Sequence, residues 1–429
     1  MIKTTIVASA TAMVAQPIGI VRMSGPKAKT IAETMIKKKT LKAREAKFTA
    51  LYDGELIDHA VVIYFQAPFS YTGEDIVEFQ THGNPYIKDR IIKLCLHHGA
   101  KMAEPGEFSQ RAFENGKMSL DQVEAVADII HANSTQAAAS AARSLAGALG
   151  DAVTSLQKEM IALRVLVEAA IDFSEEDIPS ITTDSVNQKL EALKGRLKEI
   201  YLQAQRGAKL TSGIKVALVG EPNVGKSTLM NRICQKEVSI VTSEAGTTRD
   251  IVSREVIHKG VNIVFSDTAG IRETSNQVES IGINRAQAEA ESSDLVLILV
   301  DAENSTSLKI NHPKAWVIRT KADLNNSPLL SEEMAISAKT GKGVNDLLDA
   351  IIDAFSLSDR EETPFSARQR QVDILNRAKE ELGMASTDQD FEIVAQTLYQ
   401  SQLILSEITG EVTTDDILGE VFSSFCIGK

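Results

Sequence analysis

The sequence predicts three parts: an N-terminal α+β domain, a helical domain assembled from two separated segments, and an α/β domain inserted between those segments. Three observations predict it. At 429 residues the chain has room for three cores, taking about 150 residues per domain. Its texture changes at Ser119, from short strand runs and turns to a Pro-free, Ala- and Leu-rich stretch with apolar residues at helical spacing. It changes again over 213–356, where apolar strand runs alternate with helical runs, the pattern of a doubly wound parallel sheet. The expected boundaries are 1–118, then 119–212 with 357–429, and 213–356 for the insertion.

Taken in order, the first part holds strand runs at 5–8, 19–23, 59–65 and 75–80, with helical pieces at 28–38 and 86–98. In the second, Leu120, Val123, Val126, Ala127 and Ile130 line one helical face, and Ser119 with Gln122 reads as a capping box. A further helix is expected over 183–205, after an acidic break at 172–178 and Pro179. The insertion has strand runs at 215–219, 261–265, 295–300, 315–319 and 333–336. Residues 366–425 return to a helical pattern with an acidic turn at 409–416. The segments at 172–177, 206–214 and 357–366 are the candidate joints.

Composition narrows the class. Apolar residues make up 43% and charged residues 24%, ordinary for a folded domain and incompatible with wholesale disorder. Cys95, Cys234 and Cys426 lie far apart and offer neither a disulfide framework nor a zinc spacing. No run approaches the roughly 20 apolar residues of a membrane span. The apolar run 6–14 is interrupted by Ser9 and Thr11 and flows into a strand pattern, so a processed signal is not expected and the chain reads as cytoplasmic. The net charge of −12 is uneven: residues 1–120 sum to +4 and residues 361–429 to −8. An acidic chain is a poor autonomous binder of nucleic-acid backbone, so an RNA substrate would need a local patch or a basic partner.

The chemistry concentrates in the insertion. Gly220-Glu221-Pro222-Asn223-Val224-Gly225-Lys226-Ser227 fits G-x-x-x-x-G-K-[ST] between an apolar strand and a helix, the context that gives the motif meaning. Its backbone N–H groups and helix N-terminus suit phosphate. Asn223, Val224, Gly225, Lys226, Ser227 and Thr228 are the candidate contacts, with Lys226 on the β/γ-phosphates and the Ser227 hydroxyl on Mg²⁺. Asp267-Thr268-Ala269-Gly270 ends the next strong strand and places a carboxylate near that metal. Thr320-Lys321-Ala322-Asp323 and Ser337-Ala338-Lys339 resemble the base-reading elements of the Ras-like GTPase superfamily. A carboxylate at Asp323 accepts from N1–H and the 2-amino group of guanine and has no such donor pair in adenine. Ile271 stands where Ras-like enzymes carry a water-orienting Gln, so hydrolysis needs another group, with Arg272, Glu273 and Glu279 at hand. In Thr242-Ser243-Glu244-Ala245-Gly246-Thr247-Thr248 one Thr is expected on Mg²⁺, while nearby carbonyls and Asn223 could cage a monovalent cation.

Three further segments carry a full-length resemblance: Tyr71-Thr72-Gly73-Glu74-Asp75-Ile76-Val77-Glu78, Pro105-Gly106-Glu107-Phe108-Ser109-Gln110-Arg111-Ala112-Phe113 with Asn115-Gly116-Lys117, and Phe425-Cys426-Ile427-Gly428-Lys429. With them the chain resembles the MnmE (TrmE) family of tRNA modification GTPases. That resemblance implies an α+β N-terminal folate-binding domain, a discontinuous helical domain and an inserted Ras-like α/β P-loop GTPase domain. It implies a homodimer joined through the N-terminal domains and GTP hydrolysis driven by K⁺-dependent pairing of GTPase domains. It also implies work with the FAD-dependent MnmG (GidA) on C5 of the wobble uridine of certain tRNAs, adding an aminomethyl or carboxymethylaminomethyl group with a one-carbon tetrahydrofolate (5-formyl or 5,10-methylene). Residue by residue, it maps folate contacts to Arg22, Glu78, Lys117 and Lys429; K⁺ to Asn223, Thr242, Glu244 and Thr247; Mg²⁺ to Ser227 and Thr248; and the water-orienting acid to Glu279. Lys226 completes the catalytic pair.

The chain departs from the family pattern at Thr320, where Asn is usual, and at the loop 11–17, which lacks the usual Gly-rich, Pro-Pro pattern. Weaker nucleotide affinity without a change of base is the expectation at Thr320. Two other readings stay open. A ribosome-assembly GTPase of the Era/Der type would carry a basic RNA-binding domain after the GTPase unit, against the −8 of residues 361–429. A plain nucleotide switch would use its N-terminal domain only as a scaffold, and folate binding separates it from the first reading.

Overall fold

The computed structural model describes residues 4–37, 40–172, 183–236, 252–267, 287, 289–301, 310, 312–324, 334–357, 364–386, 388, 390–412, 415–423, 425 and 428. By packing, the chain divides into two compact units, one of 1–127 with 406–429 and one of 128–405.

The first unit is built on a six-stranded sheet. Its strands are β1 (Ile6–Ser9), β2 (Gln16–Ser24), β3 (Ala46–Asp53), β4 (Glu55–Phe65), β5 (Ile76–Gly83) and β6 (Lys101–Met102), in the order β3-β4-β5-β2-β1-β6. All pairs are antiparallel except β1 with β6. Helices α1 (Ala28–Met35) and α2 (Pro85–His97) supply Ile31, Met35, Ile91 and Cys95 to a core shared with Val21, Leu51, Val62 and Phe79 of the strands. The start of α2 is set by Asn84, whose side chain accepts from the Tyr86 N–H at 2.8 Å, and by Pro85 at the first helical position. The sequence pattern had not marked β3. Its most apolar ring, Phe48, is 72% exposed while Thr49 and Leu51 point inward, so the alternation favours the wrong face.

The second family-specific segment folds as α3 (Glu107–Glu114) and locks onto the first. The Arg111 guanidinium donates to Glu107 Oε1 at 2.8 Å, to Glu74 Oε2 at 3.0 Å and to the Thr4 carbonyl at 2.7 Å. Glu74 Oε2 also accepts from Ser24 Oγ, so the Thr72 hydroxyl is the donor in its 2.7 Å contact with Ser24. Burial works against the Arg111 charge, but Glu107 and Glu74 outweigh it and hold its pKa above the ordinary value. Gly106 caps α3 at φ +69. A Cβ there would lie 2.7 Å from the Phe422 carbonyl, so the helix start must be glycine for the chain to pass. Phe422 and Phe425 pack in turn with Phe113, Leu120 and Val123.

In the second unit the long helical stretch is divided. Helix α4 (Leu120–His131), which begins in the first unit, is followed by α5 (Thr135–Leu145) and α6 (Ala148–Asp172). Ser134 caps α5 by accepting from the Ala137 N–H, and Gly147 at φ +102 separates α5 from α6. At α4 the capping box is half formed: the Ser119 N–H and hydroxyl both donate to Gln122 Oε1. Helix α7 (Thr183–Ser212) exceeds its expected length by two turns, so the joint expected at 206–214 shrinks to Gly213 at φ +77.

Beyond it lie β7 (Ile214–Gly220), α8 (Lys226–Lys236), β8 (Val252–His258), β9 (Val261–Asp267), β10 (Leu295–Asp301), β11 (Ala315–Thr320), β12 (Met334–Ala335) and α9 (Val344–Ala354). The sheet order is β12-β11-β10-β7-β9-β8, parallel except for the edge strand β8. β7 and β10 read as continuous apolar runs because helices cover both faces. Among the described residues three helices follow: α10 (Gln369–Gly383), α11 (Phe391–Thr409) and α12 (Asp415–Ser423). The return segment is latched: Arg368 pairs with the buried Asp128 at 2.8 Å and Arg143 donates to the Pro364 carbonyl at 3.1 Å. No described helix is long and apolar enough to cross a membrane.

Removing Arg111 would leave the buried Glu74 carboxylate without the charge that compensates it. Arg111→Ala is expected to cost about 3–5 kcal/mol, and Arg111→Met with Glu74→Leu to recover part of the loss, read from denaturant midpoints.

Candidate functional site

β7 lies between β10 and β9, where the strand order reverses, and the parallel strands end on one edge. Register fixes what gathers there. Gly220 pairs with Leu299, Asp301 with Thr320, Arg319 with Ala335, and Leu218 with Asp267. The loop after β7 turns through Asn223 at φ +63 and Gly225 at φ +111 and enters α8 at Lys226. Val224 between them is buried in the sheet's core. Gly220 must be glycine, since a Cβ would sit 2.6 Å from the Leu299 carbonyl. The Lys226 ammonium folds over the loop, donating to the carbonyls of Gly220 at 2.5 Å and Glu221 at 2.9 Å. Ser227 and Thr228 stand exposed in the first turn of α8, where the helix dipole favours anions.

The two segments expected to read the base, 320–323 and 337–339, meet just beyond β11 and β12. Ser337, fully buried, donates to Asp323 Oδ1 at 2.6 Å and accepts from the Thr340 N–H at 3.2 Å. That bond, with the Asp323 N–H and the Lys339 charge, holds the exposed Asp323 carboxyl below the usual range, so it stays ionised. Lys321, at φ +56, reaches Asp301 at 2.5 Å, and the Ala322 N–H donates to the Ile336 carbonyl. Thr320 is buried beneath the phosphate loop, its hydroxyl 2.7 Å from the Val224 carbonyl. Ala338 packs on the sheet core and Lys339 is exposed.

Arg232 of α8 is a residue the motifs do not announce. It donates to the Thr340 carbonyl at 2.7 Å and fills the space a Cβ on Gly341 would need, bracing the 337–341 loop from the phosphate-loop helix. No sequence spacing marks such a contact. Thr242, Ser243, Glu244, Ala245, Gly246, Thr247, Thr248, Thr268, Ala269, Gly270 and Glu279 lie outside the described residues, as do Ile271, Arg272 and Glu273. Asp267 is described as the last backbone position of β9. Among the described residues there is no group of three or more His, Cys, Asp or Glu suited to a metal.

In the first unit Arg22 and Glu78 face each other across β2 and β5, with Nε 2.9 Å from Oε1. The Arg22 guanidinium lies 5.6 Å from the Tyr71 ring centre and 5.9 Å from that of Phe108. Tyr71 is held by a 2.8 Å bond between its hydroxyl and Ser109 Oγ. A cleft of about 700 Å³ opens beside Tyr71, lined also by Lys117, Arg44, Phe65, Phe69 and Ser70. Of Arg22, Glu78 and Lys117, which the resemblance assigns to one site with Lys429, Lys117 lines this cleft and Arg22 and Glu78 do not; Arg44 and Phe69, which no motif marks, pair there as cation and ring at 5.8 Å. Lys429 and Cys426 lie outside the described residues. Gly428 is buried at φ +100, where a Cβ would be 2.3 Å from the Ser9 carbonyl. Ser9 pairs with Val21, the neighbour of Arg22.

A strand, a phosphate-type loop and a base-reading corner on one parallel-sheet edge define a Ras-like P-loop GTPase fold. Residues 5–117 match the family model described as the GTP-binding protein TrmE N-terminus, and residues 120–426 match the MnmE helical domain. The protein called tRNA modification GTPase MnmE in Francisella tularensis subsp. novicida (strain U112) is 42% identical over 448 aligned residues, covering 100% of this chain and 99% of the relative. Its counterpart in Francisella philomiragia is 41% identical over the same shares. The solved G domain of the T. maritima FeoB iron transporter is 21% identical over 33% of this chain and 97% of its own, at a TM-score of 0.24. The chain belongs to the MnmE family of tRNA modification GTPases.

Ser337→Ala removes the main cause that depresses the Asp323 pKa. A depressed carboxyl keeps its charge as pH falls through the ordinary Asp range. The acid limb of guanine-nucleotide affinity is therefore expected at higher pH in Ser337→Ala than in the parent, read by titrating GDP between pH 7 and 4.

Proposed function

We propose that this chain hydrolyses GTP as one component of a system that modifies C5 of the wobble uridine in tRNA. The observation that carries the reading is the convergence of the Lys226 loop and the Asp323–Ser337 pair on one sheet edge. The loop cradles the β- and γ-phosphates, Lys226 and Ser227 neutralise and ligate, and ionised Asp323 accepts the two donors of guanine. Positions 267–270, 337–339 and 242–248 are assigned to the same nucleotide, the last as the switch loop. In this reading the domains are 1–118, 119–212 with 357–429, and 213–356.

The exposed Ser227 hydroxyl at a helix start offers an oxygen donor of the kind Mg²⁺ takes, and Thr248 is assigned to the same ion, with Asp267 near it. Asn223, Thr242, Glu244 and Thr247 are assigned to K⁺, of which Asn223 is at the crest of the described loop. These cations supply positive charge against the phosphates when bound. Glu279 is assigned to orienting the attacking water.

The Arg22–Glu78 pair and the aromatic-lined cleft bearing Lys117 support a second, folate-binding function. Cations match glutamyl carboxylates, Glu78 accepts from pterin amino groups, and Tyr71 and Phe69 offer flat apolar surface. Lys429 is assigned to the same site. The folate, in its 5-formyl or 5,10-methylene form, would bring the one-carbon unit, the FAD-dependent MnmG (GidA) the redox chemistry, and a homodimer the paired GTPase domains, in the cytoplasm.

GTP turnover in K⁺ against Na⁺ tests the first function. The parent is expected to be faster in K⁺, Asn223→Ala to lose that preference, and Glu279→Ala to fall about 100-fold in both salts. Equal parental rates in the two salts would remove the K⁺ assignment. For the second function, Arg22→Ala is expected to weaken 5-formyltetrahydrofolate binding about tenfold, by loss of a charged hydrogen bond, with GTP turnover unchanged. Retained folate affinity would reject Arg22 as a contact.

A further inference from the structure

We propose that the cleft beside Tyr71 takes a poly-γ-glutamyl tail, and that Arg44 makes the chain select folates by tail length. The proposal rests on the folate reading above and deepens it.

The sheet register sets the cleft in line with the Arg22–Glu78 pair. Arg22 of β2 pairs with Glu78 of β5, Glu78 with Ile63 of β4, and Ile63 with Ala46 of β3. Residues paired across neighbouring strands share a face, so these four form one row over the sheet. Ile63 and Ala46 line the cleft at the far end of that row. Three strand spacings of about 4.8 Å separate Arg22 from Ala46, about 14 Å in all. The pterin, methylene bridge and aminobenzoyl ring of a folate are together of that length. Tyr71 joins the two ends, since its ring is 5.6 Å from the Arg22 guanidinium and also lines the cleft. A folate with its pterin at Glu78 therefore delivers its glutamyl end to the cleft.

The charge there fits a chain of carboxylates. Arg44 and Lys117 line the cleft, and among the described residues no Asp or Glu does. Both side chains are exposed, and neither is paired with a carboxylate among the described residues. Arg44 is positioned by its surroundings: its backbone N–H donates to the Tyr64 carbonyl at 2.7 Å, and its guanidinium lies 5.8 Å from the centre of the exposed Phe69 ring. A ring contact uses the face of a guanidinium and leaves its N–H donors for carboxylates. Lys117 stands beside Gly73, where a Cβ would be 3.2 Å from its Cγ. Lys429, assigned to the same ligand, lies outside the described residues. Each γ-linked glutamate beyond the first adds one carboxylate, so a cleft with two cations and no acid favours the longer tail.

The test compares equilibrium affinities, at low salt, for 5-formyltetrahydrofolate carrying one and three γ-linked glutamates. The parent is expected to bind the triglutamate about tenfold tighter, the combined effect of a few partly exposed charge pairs. Arg44→Gln is expected to cut that ratio to about twofold, and Arg44→Lys to retain most of it. Lys101→Gln, the same charge loss on the exposed edge strand β6, is expected to leave the ratio as in the parent. A parental ratio within about twofold overturns the proposal outright. An unchanged ratio in Arg44→Gln, or an equal fall in Lys101→Gln, overturns the role of Arg44. Failure of the parent to bind either compound overturns the underlying folate reading instead.

Discussion

The position of β7 between β10 and β9 constrains everything at the nucleotide site. Parallel strands finish on the same side, so loops separated by more than a hundred residues are delivered to one edge without further design. The strands themselves are fixed by burial on both faces, which leaves their ends as the only places where polar chemistry is tolerated. From that follow the glycine at Gly220, the left-handed turns on either side of Val224, and the need for a buried donor under the loop. Arg232 and Thr320 are then two independent ties across that edge, one from α8 to the 337–341 loop and one from β11 to the loop after β7.

The N-terminal unit solves a different problem. Its sheet is ordinary in its apolar packing, but a charged cluster of Glu74, Glu107 and Arg111 is set among Ser24, Thr72 and Thr4. Such a cluster contributes little net stability over an apolar replacement, yet it is unforgiving of partial removal. Its effect is geometric. It joins the turn at 72–75 to α3, and these two segments carry Tyr71, Phe108 and Ser109 to the Arg22 side of the sheet. The segments that mark the family most specifically thus serve first to hold each other.

Much of this could be read from the residues alone because local rules dominate there. The phosphate loop declares itself by spacing, and the apolar runs of β7 and β10 admit no other placement. The resemblance, rather than the residues alone, assigned Arg22 and Glu78 to one site, and the β2–β5 register sets them opposite each other. What escaped depends on tertiary contact. Strand β3 hides its buried face behind Thr49, edge strand β8 is polar in alternation, and the helical run from 119 gives no sign of its break at Ser134 beyond a cap residue. Thr320 shows the limit most clearly: its departure from the usual Asn reads as a loss until the Val224 carbonyl is seen above it.

Phe422 and Phe425 pack with Phe113, Leu120 and Val123, beside the Gly106 turn, and so impose an order on how the molecule is made. During synthesis the N-terminal sheet can close early, since its strand pairings lie within the first hundred or so residues. Its satellite core cannot close with it, because the aromatic residues that fill it follow Leu120 and Val123 by about three hundred residues in the chain. The helical packing of α7 on α10 waits in the same way for the whole parallel sheet to pass. The chain therefore carries exposed apolar surface on an early-folded unit until those residues are synthesised, the condition under which a nascent protein depends most on chaperones.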